Sequence, residues 1–190
     1  PADVPEFGRK IHVEASRMIQ LVNDILQLSH LDSVSETHAQ PDMETVDLLD
    51  VAKDCVERQK LNAQRSFISL TYLGESARVL GNRDQLDDLC DNAIRYNRPG
   101  GKVQLITSCT RDGHCTLTVK DNGIGIPKDA QSSVFERFYR VDKSRSKATG
   151  GTGLGLAIVK HIARIHNARI KLESEVNVGT TITVVFETAH

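Results

Sequence analysis

Two runs, KVQLITSCT (102–110) and HCTLTVK (114–120), alternate apolar and polar residues at the period of a β-strand, and the Asp112-Gly113 pair between them is a strong hairpin signal. An antiparallel hairpin of this length needs a core against one face, which rules out a purely helical chain. ARIKLESE (168–175) and TTITVVFE (180–187) read as a second, closing hairpin, and the amphipathic stretch 154–166 before them reads as a helix. Upstream, residues 43–46 suggest a short strand. Residues 48–64 suggest a helix with Leu48, Leu49, Ala52, Val56 and Leu61 on one face. SFISLTYL (66–73) and ARVLG (77–81) read as strands, and residues 84–96 as a helix through Leu86, Leu89, Cys90 and Ala93. Helices with antiparallel strands between them predict an α+β fold, a two-layer α/β sandwich over residues 43–190.

Ahead of that unit, residues 3–32 read as one long helix, with Asp3 and Glu6 at capping-box spacing and Pro5 in the first turn. Val4, Ile11, Met18 and Ile25 recur every seven residues, flanked by Phe7, Ala15, Leu21, Val22 and Leu28. The stripe is wide enough to pack on its own domain or to self-associate in a bundle; self-association is preferred, since nothing amphipathic follows at once to cover it. Residues 1–36 are taken as this helical unit and 37–42 as a polar linker holding Pro41.

A formal charge of −1 over 190 residues leaves no global basic field for nucleic acid or anionic lipid. Cys55, Cys90, Cys109 and Cys115 form no C-x-x-C pair and are expected to be reduced thiols of a cytosolic protein. No apolar run approaches the ~18 residues of a membrane span, so a soluble chain is expected. It opens on Pro1 rather than Met, as expected of part of something larger.

Three clusters carry chemistry. On a helix, Asp88, Asn92, Arg95 and Tyr96 fall at i, i+4, i+7 and i+8, one face. A carboxylate, an amide, a guanidinium and a phenol together suit a hard cation and its polyphosphate; taken alone, an ordinary solvated face explains them equally. In VKDNGIGIP (119–127), Asp121 leaves a strand, and Gly123 and Gly125 allow close backbone approach. A carboxylate fixed there can accept from an exocyclic amine, and the calcium-loop register is absent. In GGTGLGLAIVKHIARIH (150–166), Gly150, Gly151, Gly153 and Gly155 precede or open a helix whose first N–H groups make an anion site. The stretch is neither a Walker A loop nor a dinucleotide fingerprint. Between the second and third clusters, the polar, basic residues 127–150, with Phe135, Phe138 and Tyr139 inside, read as a functional lid.

In this order the clusters resemble the ATP-binding domain of sensor histidine kinases, of the Bergerat (GHKL) fold. DNAIRYN is similar to the N box, DNGIGIP to the G1 box, VFERFYRVD to the F box and GGTGLGLAIVK to the G2 box, and VGTTITVVF to the strand closing the adenine pocket. ERFYRVDKSRS is most similar to the phosphate-regulon and cell-wall (PhoR/WalK-like) group. EASRMIQLVNDILQLSHLD resembles the second helix of the dimerisation and phosphotransfer hairpin.

The resemblance implies ATP and Mg²⁺ as cofactors. It implies that Asp121 accepts from the adenine amino group. Gly123, Gly125 and Ile126 belong to the nucleotide set, with Gly125 beside the base. Asn92 holds Mg²⁺, Arg95 and Tyr96 face phosphate or ribose, and Tyr139, Arg140 and Lys143 approach the nucleotide from the lid. Arg140 neutralises the γ-phosphate. Gly151, Thr152, Gly153, Leu154, Gly155 and Leu156 wrap the phosphates, and Thr180 reaches the base through water. Partners implied are a phosphoacceptor helix, a response regulator and a second copy, with the whole protein in the cell membrane and this part on its cytoplasmic side.

Two departures stand out. Asp88 replaces an Asn usual in the kinases; in the ATPase branch an acid there activates water, so a tolerated swap and weak hydrolysis stay open. The phosphoacceptor box H-E-[LM]-[RK]-T-P is missing: His12, His30, His38, His114, His161, His166 and His190 all lie outside any such pattern. The chain is therefore expected to bind ATP without phosphorylating itself. An ATP hydrolase and a non-catalytic nucleotide module are the alternatives.

Overall fold

The computed structural model describes residues 4–36, 43–65, 67–87, 100–141 and 152–187. Helix α1 (Val4–Glu36) opens the chain. Strand β1 (Glu44–Asp47) runs directly into α2 (Leu48–Arg65). The Asp47 carboxylate makes that junction: it accepts the Leu49 N–H at 2.9 Å, capping the helix, and the Ala77 N–H at 3.0 Å. Strands β2 (Ser69–Gly74) and β3 (Arg78–Gly81) follow, then a helical segment over residues 83–87. Strands β4 (Lys102–Cys109) and β5 (His114–Asp121) form the predicted hairpin. Helix α3 (Gly155–Ile165) and strands β6 (Arg169–Glu175) and β7 (Gly179–Glu187) complete the chain.

The main sheet has the order β2-β4-β5-β7-β6, and β1 pairs separately with β3. Strands β4, β5 and β7 alternate buried and half-buried positions as their period-two sequences require. Their inward residues Leu105, Leu117, Val184 and Phe186 meet Leu48, Val51, Ala52 and Cys55 of α2 and Ile158, Val159 and Ile162 of α3 in one core. This is the two-layer sandwich anticipated from the sequence.

Three expectations are corrected. Strand β2 lies parallel, not antiparallel, to β4, because the connection between them crosses over through β3 and a helix. It begins at Ser69 rather than residue 66, after Phe67, exposed and at φ 55°, turns the chain. Cys109 and Cys115 are joined as a disulfide, not held as thiols. The turn centred on Asp112 sets these two residues directly opposite each other, with Cα atoms 4.1 Å apart. Cys55 is buried. Cys90 lies outside the described residues.

The wide stripe of α1 is divided. Leu21 packs against the core and Leu28 and Leu31 are buried in it, while Phe7, Ile11, Met18, Ile19, Val22 and Leu26 are exposed. No helix among the described residues is long and apolar enough to cross a membrane.

Candidate functional site

The register of the central strands brings the Asp121 end together. Asp121 of β5 lies directly opposite Thr180 of β7. Its carboxylate accepts the Gly123 N–H at 2.6 Å, an Asx turn that fixes the side chain where the strand ends. Burial pushes the Asp121 pKa above the usual carboxylate value, and hydrogen bonds from the Gly123 and Thr180 backbone only partly offset this. A carboxylate has about four acceptor positions, so capacity remains for an outside donor.

Ser174 of β6 is a hub that sequence reasoning missed. Its hydroxyl donates to the Gly179 carbonyl at 2.9 Å, accepts the Ile126 N–H at 2.8 Å and lies 2.9 Å from the Thr180 hydroxyl. With its one proton committed to Gly179, Ser174 receives the Thr180 proton, leaving Thr180 acceptor capacity. Gln131 from the lid bridges the Ile126 and Ser174 carbonyls at 2.9 and 2.8 Å. A serine on the half-buried face of an edge strand, in line with Ile170 and Leu172, carries no sequence signal for this role.

The glycines are explained by the chain's own backbone. A Cβ on Gly125, at φ +68°, would stand 1.9 Å from the Glu175 carbonyl oxygen, and one on Gly179 2.1 Å from that of Asp121. Gly153, at φ +77°, has the Phe138 and Tyr139 backbone 3.0 Å from where its Cβ would be.

That last contact joins the third cluster to the lid. The Phe138 N–H donates to the Gly153 carbonyl at 2.9 Å, with Phe138 itself at φ 63°. Such a conformation is uncommon for a bulky residue. Phe138 is exposed, while Tyr139 and Arg140 are half-buried. The Arg140 Nε and one terminal nitrogen are buried with no hydrogen-bond partner among the described residues. Helix α3 begins two residues after Gly153, the glycine that the Phe138–Tyr139 backbone touches. With Leu154 at its N-cap, the first-turn N–H groups of Gly155 and Leu156 have no side-chain cap among the described residues and can serve an outside acceptor. Thr152 accepts the Leu154 N–H at 3.3 Å.

The structure thus gathers Asp121, Gly123, Gly125, Ile126 and Thr180 at one end of the sheet, and Tyr139, Arg140, Thr152, Gly153, Leu154, Gly155 and Leu156 where lid and α3 meet. Asp88, Asn92, Arg95, Tyr96, Lys143 and Gly151 lie outside the described residues.

The helical segment leading to Asp88 has its own anchor. The Asn82 side chain caps it by accepting the Gln85 N–H at 3.1 Å, while the Asn82 N–H donates to His166 Nε2 at 3.0 Å. His166 Nδ1 therefore carries the proton it gives to the Ile162 carbonyl at 2.8 Å. Burial holds the His166 pKa below the usual 6.5, partly countered by the Ile162 hydrogen bond. A depressed pKa means the native state favours the neutral ring. Its contribution is present above the unfolded value and is lost as pH falls from about 6.5 through the native value. His166→Phe orphans the Asn82 N–H and is expected to cost about 1–3 kcal/mol at pH 7.5. Its thermal midpoint should then vary less than that of the parent chain between pH 7.5 and 5.5; equal slopes in the two proteins would refute the role.

The profile of the histidine kinase-, DNA gyrase B- and HSP90-like ATPases matches residues 83–190. The chain belongs to that family. It is 42% identical over 189 residues to the sensor-like histidine kinase SenX3 of Mycolicibacterium smegmatis, covering 97% of this chain and 48% of that protein. With the sensor protein kinase WalK of Staphylococcus saprophyticus it shares 38% identity over 183 residues, 94% of this chain and 30% of the other. A solved structure of the mycobacterial sensor histidine kinase MprB superposes with a TM-score of 0.64 at 31% identity, over 76% of this chain and 97% of that one. The chain spans about a third to a half of the length of the two curated relatives. The family includes ATPases by name, so ATP use and the GHKL catalytic fold follow for residues 83–190.

Proposed function

We propose that this chain is the ATP-binding catalytic part of a two-component sensor histidine kinase. It transfers the γ-phosphoryl group of ATP to a histidine nitrogen on a separate phosphotransfer helix, releasing ADP; a response-regulator aspartate receives the group next. The observation that carries this is Arg140. Two of its guanidinium nitrogens are buried with no acceptor among the described residues, two residues after the Phe138 backbone that meets Gly153 ahead of α3, and this supports an anion site there.

In the reading we favour, Asp121 orients the base by accepting from its amino group, with Thr180 assisting through water. The N–H groups at the start of α3 hold phosphate oxygens. Arg140 draws negative charge from the γ-phosphoryl as it leaves ADP. Phosphoryl transfer has a loose transition state, so positioning and charge neutralisation are the protein's contribution. Mg²⁺ keeps several waters and substrate phosphates as ligands, and Asn92 would be its protein contact. When bound, the ion would shield the charge of the phosphates. Residues 1–36 act as the second hairpin helix, 37–42 as the linker and 43–190 as the catalytic domain, with a lid at 127–150. The exposed part of α1 packs on the phosphotransfer helix and on a second copy, and the whole protein sits in the membrane.

Transfer in trans tests this. The chain is mixed with γ-labelled ATP, Mg²⁺ and a hairpin fragment carrying a phosphoacceptor box, with Asn92→Ala as control. Acid-labile, base-stable label on the fragment, absent in the control, is the expected result. Steady phosphate release stopped by Asp88→Asn, without labelled fragment, would reassign the protein as a hydrolase. Bound ATP with neither signal would leave a nucleotide-binding module.

A further inference from the structure

Helix α1 touches the nucleotide loops through two carboxylates that phosphoryl transfer does not use. Asp24 is 2% exposed, on a face otherwise filled by Leu21, Leu28 and Leu31. Its carboxylate accepts the Thr152 hydroxyl proton, with Gln20 Nε2 donating to the other oxygen at 2.5 Å. Because Thr152 also accepts the Leu154 N–H, the Asp24 charge sits one hydroxyl away from the start of α3. Two turns further on, both Asp32 oxygens receive Arg137 Nη2 at 2.7 and 2.9 Å, with His161 Nδ1 at 3.5 Å. His161 Nε2 donates to the Leu31 carbonyl at 3.1 Å, closing the contact around a buried leucine pair.

Both carboxylates contact segments assigned to the nucleotide site, Thr152 before α3 and Arg137 in the lid. Asp24 sets a desolvated negative charge against the loop that is to receive phosphate, where low dielectric strengthens repulsion. Asp32 occupies the guanidinium of Arg137, three residues before Arg140 in the lid. We propose that Asp24 and Asp32 set nucleotide affinity from outside the pocket, so that docking of residues 20–32 of α1 and binding of ATP oppose each other. The inference rests on the phosphate site assigned above. Coupling is reciprocal: if releasing the helix tightens ATP, ATP loosens the helix by the same factor.

The test uses the 190-residue chain. Calorimetric titration with a non-hydrolysable ATP analogue and Mg²⁺ compares it with Asp24→Asn, Asp32→Asn and the double variant. Hydrogen exchange of residues 20–32 is followed with and without the analogue. Each single variant is expected to tighten binding about 3- to 10-fold, within the usual range of coupling between sites. In the unsubstituted chain the analogue should speed exchange in that segment. Asp32→Asn, at the exposed rim, keeps the test decisive if the buried Asp24 variant fails to fold. Unchanged or weaker binding in both single variants, or unaltered or slower exchange, overturns the inference while leaving the ATP site intact. No binding by any protein, the unsubstituted chain included, overturns the phosphate site and the inference with it.

Discussion

Arg140→Met lowers phosphoryl transfer in trans by about 100- to 1,000-fold, the usual effect of removing one group aimed at transition-state charge. Methionine keeps most of the arginine stem, so packing is retained while the guanidinium is lost. The apo protein should be no less stable than its parent, because what disappears is a buried polar group without a partner among the described residues. This combination separates the roles. A residue that only supported the fold would lower the thermal midpoint along with the rate. Single-turnover transfer and apo thermal unfolding, measured together, decide it: unchanged transfer, or a rate loss explained by unfolding, removes Arg140 from the reaction.

Asp121→Asn should weaken ATP binding about 100-fold, since an amide can turn an N–H toward the donor that the carboxylate accepts. Without nucleotide, the same variant should be at least as stable as the parent at neutral pH. Burial raises the Asp121 pKa, so the native state holds this proton more tightly than the unfolded chain. The favourable contribution is present at low pH and lost as pH rises through the native value, leaving the ionised side chain a cost at pH 7. Asparagine removes that cost and keeps an acceptor for the Gly123 N–H. ATP affinity of the parent chain should also fall as pH drops toward the raised pKa, earlier than for an ordinary carboxylate. Calorimetric titration and thermal scans at pH 5 and 7.5 check both statements; full affinity in the asparagine variant would place the base elsewhere.

What the sequence revealed is what depends on local periodicity and turn chemistry. The hairpin over residues 102–121 and the amphipathic helix after Gly153 both follow from neighbours within about ten positions. What stayed hidden depends on distant partners. The parallel pairing of β2 is decided by a crossover rather than by its own residues. Gly125 suggested room for a ligand, but its nearest obstacle is the Glu175 carbonyl 50 positions on. The disulfide follows from the hairpin itself, because the register of the turn at Asp112 places Cys109 opposite Cys115, whereas the C-x-x-C spacing that marks metal and redox pairs is absent. A carboxylate at position 24, spaced i+3 from Leu21 and i−4 from Leu28, was a charge on an apolar stripe and the one readable sign of the contact with Thr152.

The division of α1 has a mechanical consequence. The helix has 33 residues, a rod of ~50 Å, bare from Phe7 to Ile19 and gripped along one face from Leu21 to Leu31. A hydrogen-bonded rod resists bending and unwinding, so a turn applied to the bare end arrives at the gripped end almost undiminished. The Asp24 carboxylate stands several ångströms off the axis, where roughly a third of a radian displaces it by more than a hydrogen bond tolerates. Torque alone, with no shift along the axis, is enough to separate it from Thr152.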